Sequence, residues 1–460
     1  MYRARHLPVH KGPAAWAEIL GESTTYPTLE SNRTADIVII GAGFAGLSAA
    51  RRALQIDPGL DLVLIDAGRI AEGAAGRNSG FMIDIPHELT SEDYAGSGDD
   101  TAMMRFNRKA LAFGAAAVKE YGIAPDFFDP SGKINGAASE AGDRHNASLA
   151  KHLAALGERF EVYDAAQMTE ITGSQYYTSG LYTPGTVTLQ PAGYVRGLAA
   201  GLAASGVSIY EITPALEFQK AGAGWQVTTP QGKIAAGRII LSVNGHLESF
   251  GFAQRRLMQL FLFAVMTPEL TNAQLGQIGG QSRWGITPSD PMGTTVRRID
   301  TAQGGNRIVT RTCAALRPDM TATDGDMARA ATVMQRKFDA RFPALAGMAM
   351  QYTWAGHLCL SLNGVSVAQE VETGVFAACV QNGLGTARGT LTGIAAAERA
   401  LGRTSDIADH FAMQDPPKHL PPRPFLDVGA NAALRWKEWR ASGVSRASDP
   451  RSKHRPGVCF

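Results

Sequence analysis

Two short, uninterrupted apolar runs stand near the start of the chain, Asp36 to Ile40 (DIVII) and Asp61 to Ile65 (DLVLI). Runs of this length, rich in β-branched residues and bounded by turn signals, predict strands buried on both faces. Between them a helical pattern runs from Gly43 to Leu54 and stops before Asp57-Pro58-Gly59. Residues 1–34 read as polar and irregular, and residues 100–185 as mainly helical, with helices from Ala102 to Tyr121 and Ala147 to Phe160. Pro191 opens a helix over Tyr194 to Ala204, at the position where a missing N–H costs least. Short strands follow at Ser208–Glu211, Trp225–Thr229 and Arg238–Val243, and 257–312 again reads as strands. A last buried strand, Gly374 to Val380, runs through a glycine-rich turn into an Ala-rich helix that ends near Leu401-Gly402. The pattern contains no internal repeat.

Composition narrows the picture. At 460 residues and 45% apolar, the chain has enough material for two or more domains, and 51 glycines predict many close backbone approaches. Net charge is only +2, but from Pro416 to Phe460 nine Lys or Arg face three Asp or Glu, so the tail is basic. Cys313, Cys359, Cys379 and Cys459 show neither CxxC nor metal-ligand spacing, which fits a reducing compartment and predicts no metal. The longest apolar run, Leu257 to Met266, is too short to span a bilayer. Without an apolar segment after Met1-Tyr2-Arg3, the reading is a cytoplasmic protein.

The candidate chemistry begins at Gly41, Gly43 and Gly46, in GxGxxG spacing between a strand and a helix. The first glycine permits the turn, the second lets backbone approach a pyrophosphate, and the third packs helix on strand. The helix N-terminus then offers free N–H groups to phosphate. Asp66 ends the second strand about twenty residues further on, where a carboxylate accepts from ribose hydroxyls; the plainer alternative is that it caps the next segment. Motif position alone leaves FAD and NAD both open. The second glycine-rich turn, Gly383 to Thr386, favours a flavin, because its helix N-terminus can stabilise negative charge on a reduced isoalloxazine edge. Its plainer alternative is an ordinary strand–loop–helix closure of the sheet.

Four segments together resemble the D-amino-acid-oxidase-like superfamily of FAD-dependent amine oxidoreductases: residues 36–82, 188–211 (TLQPAGYVRGLAAGLAASGVSIYE), 237–246 (GRIILSVNGH) and 352–393. The resemblance implies a Rossmann-type α/β FAD-binding domain assembled from 1–99, 186–246 and 354–402. A mostly antiparallel β substrate domain comes from 100–185 and 247–353, and a basic, Pro-rich extension with one helix occupies 403–460. It implies FAD contacts from Gly41, Gly43, Phe44, Ala45 and Gly46, from Asp66 and Ala67, and from Leu216, Asn244 and Gly245. Further contacts come from Gly383, Leu384, Gly385 and Thr386. The loop "GAAGRNSGF" resembles the "GASGRNGG" loop of the γ-glutamylputrescine oxidase-like branch, which adds Gly73, Ala75, Gly76, Arg77, Asn78, Ser79, Gly80, Phe81 and Met82. Trp354 to His357 (WAGH) and the basic C-terminal segment resemble the same branch.

Departures from the family pattern are informative. Relatives that oxidise plain amino acids carry an Arg two residues after the Gly of the Trp-x-Gly segment; this chain has Leu358, so a plain α-amino acid is disfavoured unless another Arg takes over. Asn78 stands where some relatives have a flavin-linked His, and Cys379 lies in an apolar strand, so FAD is expected to be non-covalent. The absence of Lys between Lys233 and Lys337 leaves O2 or another electron acceptor open. Arg297 and Arg298 point to opposite faces of one strand; they, Arg311 and Trp354 are the candidate substrate contacts, against the commoner reading of such arginines as solvated strand residues. His357 and His246 are candidate proton acceptors, with Met82 beside the flavin.

The expected reaction is FAD-dependent oxidation of a primary or secondary amine, with hydride transfer to flavin N5 and hydrolysis of the imine to an aldehyde and amine. The partners are a small-molecule amine and an electron acceptor, with no nucleic acid and no transmembrane segment; the oligomeric state is left open. The alternatives are a non-catalytic FAD-binding subunit of a dehydrogenase complex and a tRNA-modification oxidoreductase. A third is a tail docked on anionic membrane through the amphipathic segment bearing Trp436 and Trp439.

Overall fold

A computed structural model describes residues 1–85, 100–289 and 293–440. Cys459, the end of the C-terminal extension and part of the first expected segment (86–99) therefore lie outside the described residues. The fold is a Rossmann-type α/β domain joined to a mostly antiparallel β domain.

The nucleotide domain is built on a nine-stranded sheet. At its centre Val375–Ala377, Lys233–Leu241, Arg33–Ile40, Leu62–Ile65 and Ser208–Tyr210 lie parallel in that order. Their apolar runs are continuous because both faces are covered. Ile37 and Ile39 enter one core cluster with Leu62 and Leu64, while Val38 and Ile40 enter the other with Val63 and Ile65. Helices Phe44–Ile56 and Ala387–Ala400 pack side by side on one face, and their backbones must come close. A Cβ on Gly393 would stand 2.2 Å from the Ala45 carbonyl oxygen.

The second domain is an eight-stranded sheet whose pairs are antiparallel except Trp284–Pro288 with Lys133–Ala137. Leu257–Met266, the greasiest run of the chain, is an interior strand between Arg307–Leu316 and Tyr352–Ser361. No helix among the described residues is long and apolar enough to cross a membrane.

Several expected elements differ. Residues 100–185 are mainly helical, as expected, but they also supply three strands of the substrate sheet that the pattern did not mark, Lys133–Ala137, Glu161–Asp164 and Ser179–Thr183. The helix expected from Ala147 to Phe160 is Glu140–Ala155, because the Ser139 hydroxyl caps it by accepting from the Gly142 N–H. The reading of 257–312 as strands missed the helix Asn272–Ile278, capped by Thr271. The N-terminal segment is not wholly irregular: Ala15–Glu18 is a short helix whose Trp16 is fully buried, and Tyr2–Arg3 adds an edge strand. Tyr352–Ser361 pairs throughout with Leu257–Met266, so the boundary expected at residue 354 falls inside a strand of the substrate sheet.

The C-terminal helix Phe425–Arg440 lies along strand Arg307–Leu316 where its neighbour Thr295–Ile299 has ended. The Asn431 and Glu438 side chains accept from the free N–H groups of Leu316 and Ala314, and Arg435 donates to the Ala314 carbonyl. The helix thus covers a sheet edge of its own domain. The Trp439 side chain lies outside the described residues.

Candidate functional site

A cleft of about 570 Å³ opens between the two sheets. At one end it is walled by Gly41 to Ala45 and by Asp66 to Arg69. Gly41 adopts φ +106°, and a Cβ there would lie 2.7 Å from the Ser242 carbonyl oxygen, so the turn requires glycine. A Cβ on Gly46 would fall 1.9 Å from the Gly41 carbonyl oxygen, which fixes helix against turn. Gly43 differs, since a Cβ there would meet only Ala75, at an ordinary 3.6 Å. Its smallness opens the cleft rather than the protein core. The Asp66 carboxylate accepts from the N–H groups of Ala42 (2.7 Å) and Gly68 (2.9 Å). Burial raises its pKa, and those two donors oppose the rise.

The loop from Gly73 to Phe81 forms the adjoining wall, with Gly73, Ala75, Arg77, Asn78 and Ser79 on the cleft. Its carbonyls are held from outside, one after another. Trp354 Nε1 donates to Arg77 (3.0 Å), Trp16 Nε1 to Asn78 (2.9 Å), and Arg297 Nη1 to both Ser79 and Gly80 (3.3 Å each). Thr386 Oγ1 donates to Phe81 (2.7 Å). Asn78 braces the loop internally, donating to Ala75 and accepting from Gly80. The Arg77 side chain donates to carbonyls of Glu72, Lys11, Gly12 and Ala355. Burial lowers its pKa to about 10, which leaves it a cation at neutral pH.

The far end is walled by Leu262 to Ala264 and Gly356 to Leu358 from the substrate sheet, with Asn244, His246, Gln381, Gly383 and Gly385 opposite. His357 Nε2 lies 3.0 Å from Gln259 Oε1, and the Gln259 amide donates to Gly245 and Glu248. His357 therefore donates through Nε2, and Nδ1 is its acceptor. His246 Nδ1 lies 2.9 Å from Ser249 Oγ, whose proton goes to the His6 carbonyl, so His246 keeps Nε2 as acceptor. Burial, and secondarily neighbouring histidines, lower the pKa of His357 to about 3 and of His246 to about 4. His10, which the sequence reading did not single out, joins them on the cleft wall, pressed down to about 3 by burial and then by Arg77. Arg311 is a cation at this end, and Arg77, which donates to the Ala355 carbonyl next to Gly356, borders it.

Not every expected residue reaches the cleft wall. Gly46, Gly76, Gly80, Gly245 and Leu384 do not line it, nor do Thr386, Phe81 and Met82, which are buried. Leu216 is exposed, and its neighbour Ala215 lines the cleft instead. Trp354 is buried with its indole N–H on the loop. Arg297 lies beneath the loop, over the rings of Trp16 and Phe81. Arg298, on the opposite face, donates to the Gly279 carbonyl. Neither arginine is the solvated strand residue that composition favours: both are buried. The Cys379 thiol is fully buried, donates to the Leu241 carbonyl, and is pushed up to about 12 by burial.

A family model described as DAO, FAD dependent oxidoreductase, matches residues 36–399. The chain belongs to the DAO family of FAD-dependent oxidoreductases. Among its relatives, the probable oxidoreductase OrdL of Rhizobium meliloti (strain 1021) is 27% identical over 414 residues, 87% of this chain and 91% of the relative. The gamma-glutamylputrescine oxidoreductase of Escherichia coli (strain K12) is 24% identical over 226 residues, 48% of this chain and 52% of that one. Among solved structures, glycine oxidase from Geobacillus kaustophilus superposes with TM-score 0.66 at 16% identity, covering 85% of this chain and all of that one. L-amino acid deaminase from Proteus vulgaris gives 0.64 at 14%, covering 86% and 97%. FAD is the cofactor of this DAO-family chain, and the cleft fits it. Gly43 would leave room for a diphosphate at the N-terminus of helix Phe44–Ile56, and Asp66 would accept ribose hydroxyls.

Proposed function

We propose that this oxidoreductase acts on the C–N bond of a primary or secondary amine. Support comes from the distribution of charge along the cleft. The two carboxylates on its described wall, Asp66 and Glu72, stand at the nucleotide end, whereas the far end presents Arg311 and the neutral imidazoles of His246 and His357. An ammonium entering that end leaves water for a wall with no described carboxylate, so the amine is favoured in its neutral form. Only the neutral amine has the nitrogen lone pair that drives loss of hydride from the adjacent carbon. Acceptor nitrogens on His246 and His357 can receive a hydrogen bond from the amine, while pKa values near 4 and 3 keep them from holding a proton at neutral pH. Bound FAD supplies the two-electron acceptor for that hydride. Water then adds to the imine, releasing an aldehyde and the shorter amine.

Anaerobic mixing of the holoenzyme with polyamines, γ-glutamyl amines, N-methyl amino acids and aminophosphonates tests the reading. At least one class should bleach the flavin, with a rate that rises with pH through the pKa of the substrate amine. If dithionite bleaches the flavin and no amine does, the reading is wrong.

A further inference from the structure

The segment that precedes the short helix Ala15–Glu18 runs from one domain to the other along the cleft. At its start Tyr2 and Arg3 add an edge strand to the nucleotide sheet, opposite Phe218 and Glu217, and the Ala4 N–H donates to the Leu216 carbonyl (2.8 Å). The Tyr2 ring stacks on Phe218 and Phe252, and its hydroxyl donates to Glu372 (2.5 Å). At its other end the segment is pinned to the substrate domain. The Val9 N–H donates to the Met320 carbonyl (2.8 Å), and the Val9 carbonyl accepts from the Ala322 N–H (3.3 Å). The Lys11 carbonyl accepts from the Ala355 N–H (2.9 Å), and the Lys11 ammonium pairs with Asp324 (2.9 Å). Gly12 follows at φ +72°, where a Cβ would stand 2.0 Å from the Thr353 carbonyl oxygen, so the backbones pass in close contact. Between these anchors the hold is slight. Among the described residues, one hydrogen bond reaches residues 5–8, from Ser249 Oγ to the His6 carbonyl (2.9 Å). Arg5, His6 and Leu7 are exposed, yet Leu7, Pro8 and His10 also line the cleft.

We infer that residues 4–11 form a strap that closes the cleft over FAD and sets the rate at which the cofactor enters and leaves. The segment meets water on one side and the cleft on the other, and it ties the two domains whose residues make the rest of the cleft wall. An element held firmly at its ends and loosely between them opens locally, without unfolding of either domain. Two features favour the closed form. Leu7, 42% exposed at the rim, loses apolar surface to water when the cleft beneath it is filled. Pro8 has a fixed φ, so the open strap gains fewer conformations than an unrestricted chain would. For a cofactor held without a covalent bond, such an element slows escape by obstruction as well as by contact.

The test reads cofactor exchange rather than turnover. Release is followed by flavin fluorescence after dilution of the FAD-loaded enzyme, and uptake by the same signal when FAD is mixed with full-length apoprotein. Removal of residues 1–8 should speed release on the order of 10-fold, the change for about 1.4 kcal/mol off a barrier. It should speed uptake too, because a closed strap obstructs passage in both directions. Val9→Pro removes the N–H donated to Met320 and leaves the anchor on the nucleotide sheet. It should raise both rates by a smaller factor, with an unchanged apoprotein melting temperature, and it decides the matter if the shortened chain does not fold. Unchanged release in both variants overturns the inference. Faster release with unchanged or slower uptake overturns it as well, since that pattern marks lost contacts with FAD rather than a lost barrier. Neither rate requires an amine, so the outcome is independent of the substrate reading.

Discussion

Arg297 and Arg311 leave neighbouring strands of the substrate sheet on the same face, two positions apart along the paired strands. Burial lowers the pKa of both, to about 9 and about 10, and neither forms an ion pair among the described residues. Arg297 has its Nη1 on the carbonyls of Ser79, Gly80 and Leu189 and its Nη2 on Gln303. Arg311 has a threonine hydroxyl and the cleft. The contrast separates a cation that builds the site from one that is available to a ligand, and the difference lies in what surrounds each guanidinium. The glycines divide in the same way: Gly46 is required by the protein's own backbone, and Gly43 by what enters the cleft.

Arg297→Met should break the scaffold side of this comparison most severely. It leaves the Ser79 and Leu189 carbonyls without this donor, while Gly80 keeps the Leu189 N–H; at about 1–3 kcal/mol for each carbonyl left unpaired, unfolding free energy should drop by several kcal/mol and FAD should be lost. Chemical denaturation and the flavin-to-protein absorbance ratio measure both. Arg311→Met, with no internal partner lost beyond Thr295, should stay within about 1 kcal/mol of wild type and keep its FAD. Equal destabilisation of the two variants would abolish the distinction.

A glycine pair sharpens the same point at a smaller scale. Gly46→Ala places a methyl 1.9 Å from a backbone oxygen and should destabilise the fold itself by about 1–3 kcal/mol or more. Gly43→Ala should fold normally and weaken FAD binding, seen as apoprotein with a wild-type melting temperature before FAD is added. Smaller again is the effect of pH. His246 and His357 have folded pKa values near 4 and 3, below the ordinary 6.5, so only the unfolded chain gains their protons as pH falls from about 6.5. Their contribution is fully present above that value and declines as pH drops toward 4. Denaturant melts between pH 5 and 7 should show this slope, and His357→Gln should flatten it. The smallest effect belongs to Trp354→Phe, which keeps the ring and removes one hydrogen bond to Arg77, costing about 0.5–1.5 kcal/mol with FAD retained.

Much of the nucleotide half was legible because its signals are local. GxGxxG, the strands on either side and Asp66 lie within about thirty residues, and backbone geometry dictates each of them. The substrate half was less legible. Strands at 133–137 and 179–183 pair across long separations, and their short apolar content did not stand out from the surrounding helices. His10 and Trp16 reach the cleft and its loop from a segment that reads as polar linker, and no periodicity marks them. Strand alternation separates Arg297 from Arg298, but nothing local to Arg297 and Arg311 says which of them is held by loop carbonyls.

By itself, then, the amino-acid sequence determined where the backbone must turn tightly, which runs must be buried on both faces, and which helix ends are free to meet phosphate. These follow from sterics and solvation acting over a few residues. Only the tertiary structure decided how the arginines and the loop carbonyls are partnered. Residues as distant as Trp16, Arg297, Trp354 and Thr386 converge on Arg77–Phe81, while Arg311 is left facing the cleft. Whether a buried polar group is satisfied depends on its neighbours in space, and those neighbours come from every part of the chain.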